Sequence, residues 1–158
     1  MTDSHRSGGP QPAALNAGRL WTGGLATALV AALAAAVGVL IATGLLDVDV
    51  LTPPGFTGSD VGDYAIAAAI AALLATALIH LLIVAAPRPF AYFNWIIGLL
   101  ILVVTLLPFA SAAELPTKLA TATINLVVGI AIASLTTGSA ARVARSYRQT
   151  AGGDPALG

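Results

Sequence analysis

Apolar residues run almost unbroken through four stretches of the chain, and the polar residues collect between them. The first stretch is Arg19 to Leu46, with no charge between its ends, and the second is Tyr64 to Ala86, interrupted only by His80. The third, Phe93 to Phe109, is uncharged but short, and the fourth, Leu119 to Ala141, is uncharged throughout. About 20 predominantly apolar residues carry a helix across a hydrocarbon core ~30 Å thick. A helix buried in a globular protein rarely stays apolar on every face for so long. The pattern therefore predicts an all-α fold, an integral membrane bundle of four transmembrane helices over 19–141. Pro53-Pro54-Gly55, Pro87-Arg88-Pro89 and the pair Pro108 and Pro116 fall between the runs, where proline stops a helix. Residues 1–18 are expected to form a flexible N-terminal tail, and 142–158 a basic, then flexible, C-terminal one. The first run far exceeds the 7–15 apolar residues of a cleaved leader, so it is expected to be the first span.

Loop charges set the orientation, because Lys and Arg resist translocation. With four spans, Arg6, Arg19, Arg88, Arg142, Arg145 and Arg148 share one side and Lys118 lies on the other, facing with Asp47, Asp49, Asp60 and Asp63 of the first loop. Both termini are thus expected in the cytoplasm, with the protein in a bacterial inner membrane. Trp21, Phe90, Tyr92, Phe93, Trp95 and Tyr147 are expected at the inner headgroup level, and Tyr64 and Phe109 at the outer one.

Composition narrows the function classes. Charged residues are 9%, apolar residues 58%, and the mean hydropathy is +0.91, which argues against a disordered or freely soluble chain. A net charge of zero supplies no basic field for phosphates, so no nucleic-acid partner is expected. The absence of cysteine removes disulfide, thiol-redox, iron–sulfur and Cys-ligated zinc chemistry. No serine elbow, phosphate loop or dinucleotide fingerprint is present, so neither an enzyme nor a cofactor is expected.

Within a bilayer, helices associate through small residues that let backbones approach. Gly24, Ala31 and Gly38, with Ala28, Ala35 and Ala42, recur every seven residues along the first run. Ala68, Ala72, Thr76 and His80 follow an i, i+4 ridge on the second. These seams are expected to join the first two spans, with a contact between subunits as the alternative.

His80 is the ionisable residue deep in a span, about 9 Å from the inner end of its helix at 1.5 Å per residue. It is either a packed neutral imidazole, the favoured reading, or a proton-coupled site. Asn94 matches it in depth, and Asn125 is expected to bond Thr105 or Thr43 between helices. The acidic first loop matches no calcium-loop spacing and is expected to be solvated, with no metal site. Arg142, Arg145 and Arg148 recur at i+3, which suits lipid headgroups at about 1 kcal/mol each.

Arg19-Leu20-Trp21, Gly44-Leu45-Leu46-Asp47-Val48, His80-Leu81-Leu82, Ala86-Pro87-Arg88-Pro89 followed by Trp95, and Asn125-Leu126-Val127-Val128-Gly129 occur in that order. Over roughly 18–146 the chain resembles an uncharacterised actinobacterial family of four-pass membrane proteins, a domain of unknown function. The resemblance implies the four-span topology and carries no activity or functional residues with it. The expected role is that of a non-enzymatic accessory or structural subunit, a homo-oligomer or one joined to other membrane-protein subunits in the lipid bilayer. The alternative is a small-solute or proton transporter using His80.

Overall fold

The computed structural model describes residues 17–53, 55 and 57–151, with the backbone alone at 17, 19 and 143–151. The expected tails at 1–16 and 152–158, and the side chains of Arg19, Arg145, Tyr147 and Arg148, lie outside the described residues. Four helices follow one another, α1 (Ala17–Leu40), α2 (Asp60–Ala85), α3 (Pro89–Leu106) and α4 (Leu115–Ala151), and the described residues form no strand. All four are long and apolar enough to cross a membrane. The chain is an all-α membrane protein with four helices of spanning length.

The helix ends follow from local chemistry. α1 widens into a π turn over Ile41–Leu45, where the Leu46 amide donates to Ile41 O at 3.1 Å. Asp47 then takes a left-handed conformation, φ 52°, and the Val48 amide closes back on Ala42 O at 2.9 Å. Asp is one of the few non-glycine residues that visit this region routinely. Ser59 caps α2, its Oγ accepting from the Gly62 amide at 3.2 Å, with Asp60 and Asp63 in the first turn. Both features suit the exposed donors and positive end of a helix N-terminus. α3 starts at Pro89, four residues before its apolar run, because proline is tolerated where the first-turn N–H has no partner. A 3-10 turn, Leu107–Ala110, finishes it.

The helices form a ring in chain order. α1 packs against α2 and α4, α3 against α4 and α2, and α2 and α4 also meet across the middle. Small residues line the inward face of α1, where Ala28, Ala31, Ala35 and Ala42 are buried, and meet Ala68, Ala72 and Ala75 of α2 in the core. The α1 glycines are close to neighbouring helices. A Cβ at Gly24 would stand 2.6 Å from Thr76 Cγ2 on α2, one at Gly23 3.0 Å from Ser139 Cβ on α4, and one at Gly38 3.1 Å from Ile124 Cγ1 on α4. Leu25, Leu29, Leu33, Val37 and Leu40 of α1 are exposed, as lipid-facing side chains are in an isolated chain. The α3–α4 side of the core is bulkier, with Phe93, Ile97, Ile124, Val128 and Ile132 buried. α3 is the outlying helix: 11% of its span is buried, against 33% in each of the others.

Two of the aromatic residues expected at headgroup level point into the bundle. Phe93 is fully buried in the core, and Tyr64 is 6% exposed. Each lies on the inward face of its helix. Trp21, Tyr92, Trp95 and Phe109 are exposed.

Candidate functional site

The segment between α1 and α2 is tied across the end of the bundle as a strap. The Leu51 amide donates to Thr121 Oγ1 of α4 at 3.0 Å, and the Tyr64 hydroxyl of α2 donates to Leu51 O at 3.2 Å. One backbone residue thus joins two helices and satisfies both its polar groups, as a chain segment packed over apolar helices requires.

Asp63 holds the rest of the strap. It is 4% exposed, and its Oδ1 accepts from the Thr57 amide at 2.7 Å and from Thr57 Oγ1 at 2.9 Å. Its Oδ2 lies 3.0 Å from where a Cβ on Gly55 would stand. Thr52 Oγ1 donates to Asp60 Oδ1 at 2.6 Å. The expectation that all four loop aspartates are solvated is corrected here. Asp47, Asp49 and Asp60 are exposed, but Asp63 is buried, because a carboxylate on the first turn of α2 faces the amides of a segment folding back over it. No cluster of three metal-ligating side chains occurs among the described residues.

Beneath the strap, between α2, α3 and α4, lies a cavity of about 190 Å³. Its walls run from Tyr64 to Ala71 on α2, from Ile97 to Val104 on α3 and from Asn125 to Ile132 on α4, with Pro53 of the strap at one end. Each wall spans eight residues, seven steps and so about 10 Å at 1.5 Å per residue. The walls are in register. Val104 and Asn125 are hydrogen-bonded at the strap end, and Thr121, one turn before Asn125, shares Leu51 with Tyr64. The floor residues Tyr64, Ala68, Ile97, Val128 and Ile132 are buried, while Ala71, Leu100 and Val104 are exposed. The cavity is therefore a groove that opens between α2 and α3 toward the surrounding membrane. Its origin is the alanine face of α2: Ala67, Ala68 and Ala71 present only methyl groups to α3.

Asn125 bonds neither Thr105 nor Thr43. Its Nδ2 donates to the backbone carbonyl of Val104 at 3.0 Å, which corrects the expected partner. The reason lies four residues on, at Pro108. Proline has no N–H to close the helical turn onto the carbonyl at i−4, and in hydrocarbon a bare carbonyl is costly. The Asn125 amide takes the missing place.

The remaining polar side chains are dispersed. His80 is half-buried, with no hydrogen bond among the described residues, and Asn94 is exposed. Both lie toward the end of the bundle away from the strap, while Asn125 lies near it, so the three are not brought together. Thr27, Thr43, Thr76 and Thr123 donate to carbonyls four residues back, at 2.8–2.9 Å. Thr105 Oγ1 and Thr136 Oγ1 are buried with no hydrogen-bond partner among the described residues. Arg142 is exposed. Sequence reasoning missed Asp63, Tyr64 and Thr121 as strap anchors. The Ser59-x-x-Gly62 cap and the polar first turn of α2 point to a helix start, but nothing local points to the backbone of Leu51.

The matching family covers this whole assembly, from the start of α1 to Arg142. The chain belongs to DUF6069, a family of unknown function. The match spans residues 15–142, so the strap, the groove and all four spans fall within the DUF6069 unit. No curated protein and no solved structure matches the chain.

Proposed function

We propose that this DUF6069 chain is a non-enzymatic accessory or structural subunit that self-associates or joins a larger complex in a bacterial inner membrane. The observation that carries the reading is the outer surface of α3. Trp95, Leu99, Leu102, Val103 and Leu106 are all exposed, and no more than 11% of that span is buried within the chain. A helix so lightly held by its own bundle has most of its perimeter free for a partner helix. Gly98, on the same helix, has nothing within 4 Å of where a Cβ would stand, so a second backbone has room to approach there. The orientation proposed with it puts both termini in the cytoplasm, on the side of Arg88 and Arg142, with the strap outside.

The chain has no cysteine, so single-cysteine variants give an unambiguous test. Leu99→Cys or Leu102→Cys, oxidised in native membranes, should yield a disulfide-linked dimer or, with a bifunctional reagent, a constant cross-linked partner identified by mass spectrometry. Leu33→Cys on the exposed face of α1 should yield neither. A chain that stays monomeric from every α3 position, and that emerges alone from mild detergent, would refute the reading.

A further inference from the structure

We propose that the groove between α2, α3 and α4 holds one acyl chain of a membrane phospholipid, taken from the leaflet on the strap side. Position argues for this occupant first. The groove lies within the membrane-spanning parts of three helices, and its rim residues Ala71, Leu100 and Val104 face outward, where the neighbouring medium is hydrocarbon rather than water.

Lining chemistry argues next. Tyr64 and Asn125 are its polar side chains, both at the strap end, and the remaining lining is aliphatic. The Tyr64 hydroxyl already donates to Leu51 O, and the Asn125 amide N–H to Val104 O. A water in the groove needs two to four polar partners, and the inner stretch from Ala71 to Ile97 and Ile132 offers side chains with none. Left empty, the aliphatic lining would lack contact atoms on one side.

Shape selects a chain over a bulkier apolar molecule. The space is about 190 Å³, drawn out over about 10 Å parallel to the helix axes. It is narrow, closed by Val128 and Ile132 on its floor, and open along one flank. A lipid can slide in sideways through that flank while its headgroup stays at the level of Pro53 and the strap. The inference does not depend on the subunit reading, since the groove opens along the side of α3 that carries Leu100 and Val104, away from the face of Trp95, Leu99, Leu102, Val103 and Leu106.

The test uses the full chain, purified in mild detergent, stripped of lipid and mixed with dioleoyl phosphatidylglycerol. Native mass spectrometry should show a single-lipid adduct that survives collisional activation. Ala71→Phe, which fills the mouth of the groove from an exposed position, should lose that adduct. Leu33→Phe on the exposed face of α1 should retain it. Phosphatidylglycerol carrying a diazirine in its acyl chain should cross-link to peptides containing 67–71 or 100–104. Should Ala71→Phe lower the melting temperature or change the elution volume, Ala71→Leu takes its place at the same position. An adduct that persists in the plugged variant, cross-links confined to α1, a lipid-free wild type, or a dimer in place of the adduct would each overturn the proposal. The last result would assign the groove to a second copy of the chain.

Discussion

Replacing Gly24 by alanine adds one methyl group, and the structure determines which of two opposing effects wins. In a helix interior, Gly→Ala favours the folded state by about 0.8–1.0 kcal/mol. At Gly24 the new Cβ would stand 2.6 Å from Thr76 Cγ2, 2.8 Å from Thr76 Oγ1 and 3.0 Å from Thr76 Cβ. Thr76 is 1% exposed and held by its bond to Ala72 O at 2.9 Å, so it cannot swing away, and α1 must separate from α2. Forcing an extra methyl into a packed core costs about 1–3 kcal/mol, which leaves a net loss of roughly 0–2 kcal/mol once the helix gain is subtracted. At Gly138 nothing lies within 4 Å of the added atom, so the same substitution should stabilise by the helix gain alone. Thermal or dodecyl-sulfate unfolding, followed by the helical circular-dichroism signal, should therefore give opposite signs for Gly24→Ala and Gly138→Ala. Thr76→Ser removes the nearest clashing atom and keeps the hydroxyl, so the double variant should recover about 0.5 kcal/mol or more through coupling of touching sites. A Gly24→Ala protein as stabilised as Gly138→Ala, with no coupling to Thr76→Ser, would show that the α1–α2 contact is not the close approach described.

Asn125→Leu strands the Val104 carbonyl and should lower stability by about 0.6–2 kcal/mol; Pro108→Ala, by returning an N–H at i+4, should cancel most of that loss in the same unfolding assay. His80→Leu breaks no hydrogen bond to a described residue and should stay within about 0.5 kcal/mol of wild type. Asp63→Ala removes the acceptor for the Thr57 amide and hydroxyl, so the strap should exchange its amide hydrogens faster and lose about 1.5–3 kcal/mol of local protection, read by hydrogen-exchange mass spectrometry at 50–58. For the orientation, a cysteine at Ser59 should react with an impermeant maleimide in intact cells and one at Ser146 should not; the reverse pattern would invert the proposed topology.

Fold class was legible in the chain because it rests on composition over long windows. Four unbroken apolar stretches suffice to predict four membrane helices, since hydrocarbon admits only helices and closed barrels, and a barrel strand alternates polar and apolar residues. Helix ends were legible where one residue carries the reason, as at Ser59 or Pro89. Contacts were not. The small residues of α1 announce a seam, but Gly24 meets α2 while Gly23 and Gly38 meet α4, and a periodicity cannot say which neighbour it faces.

The strap and the groove belong to the tertiary structure alone. Asp63 reads like its exposed neighbours Asp47, Asp49 and Asp60 until the strap folds over it. Asn125 and Pro108 lie seventeen positions apart, and their connection passes through the carbonyl of a third residue, Val104, on a different helix from Asn125. The groove is a gap left by alanines on one helix opposite larger residues on two others, so no local stretch encodes it. Hydrophobicity acts on each residue separately and survives in the linear order. Hydrogen-bond pairing and packing voids depend on the distance between residues far apart in the chain, which comes into being when the four helices close into their ring.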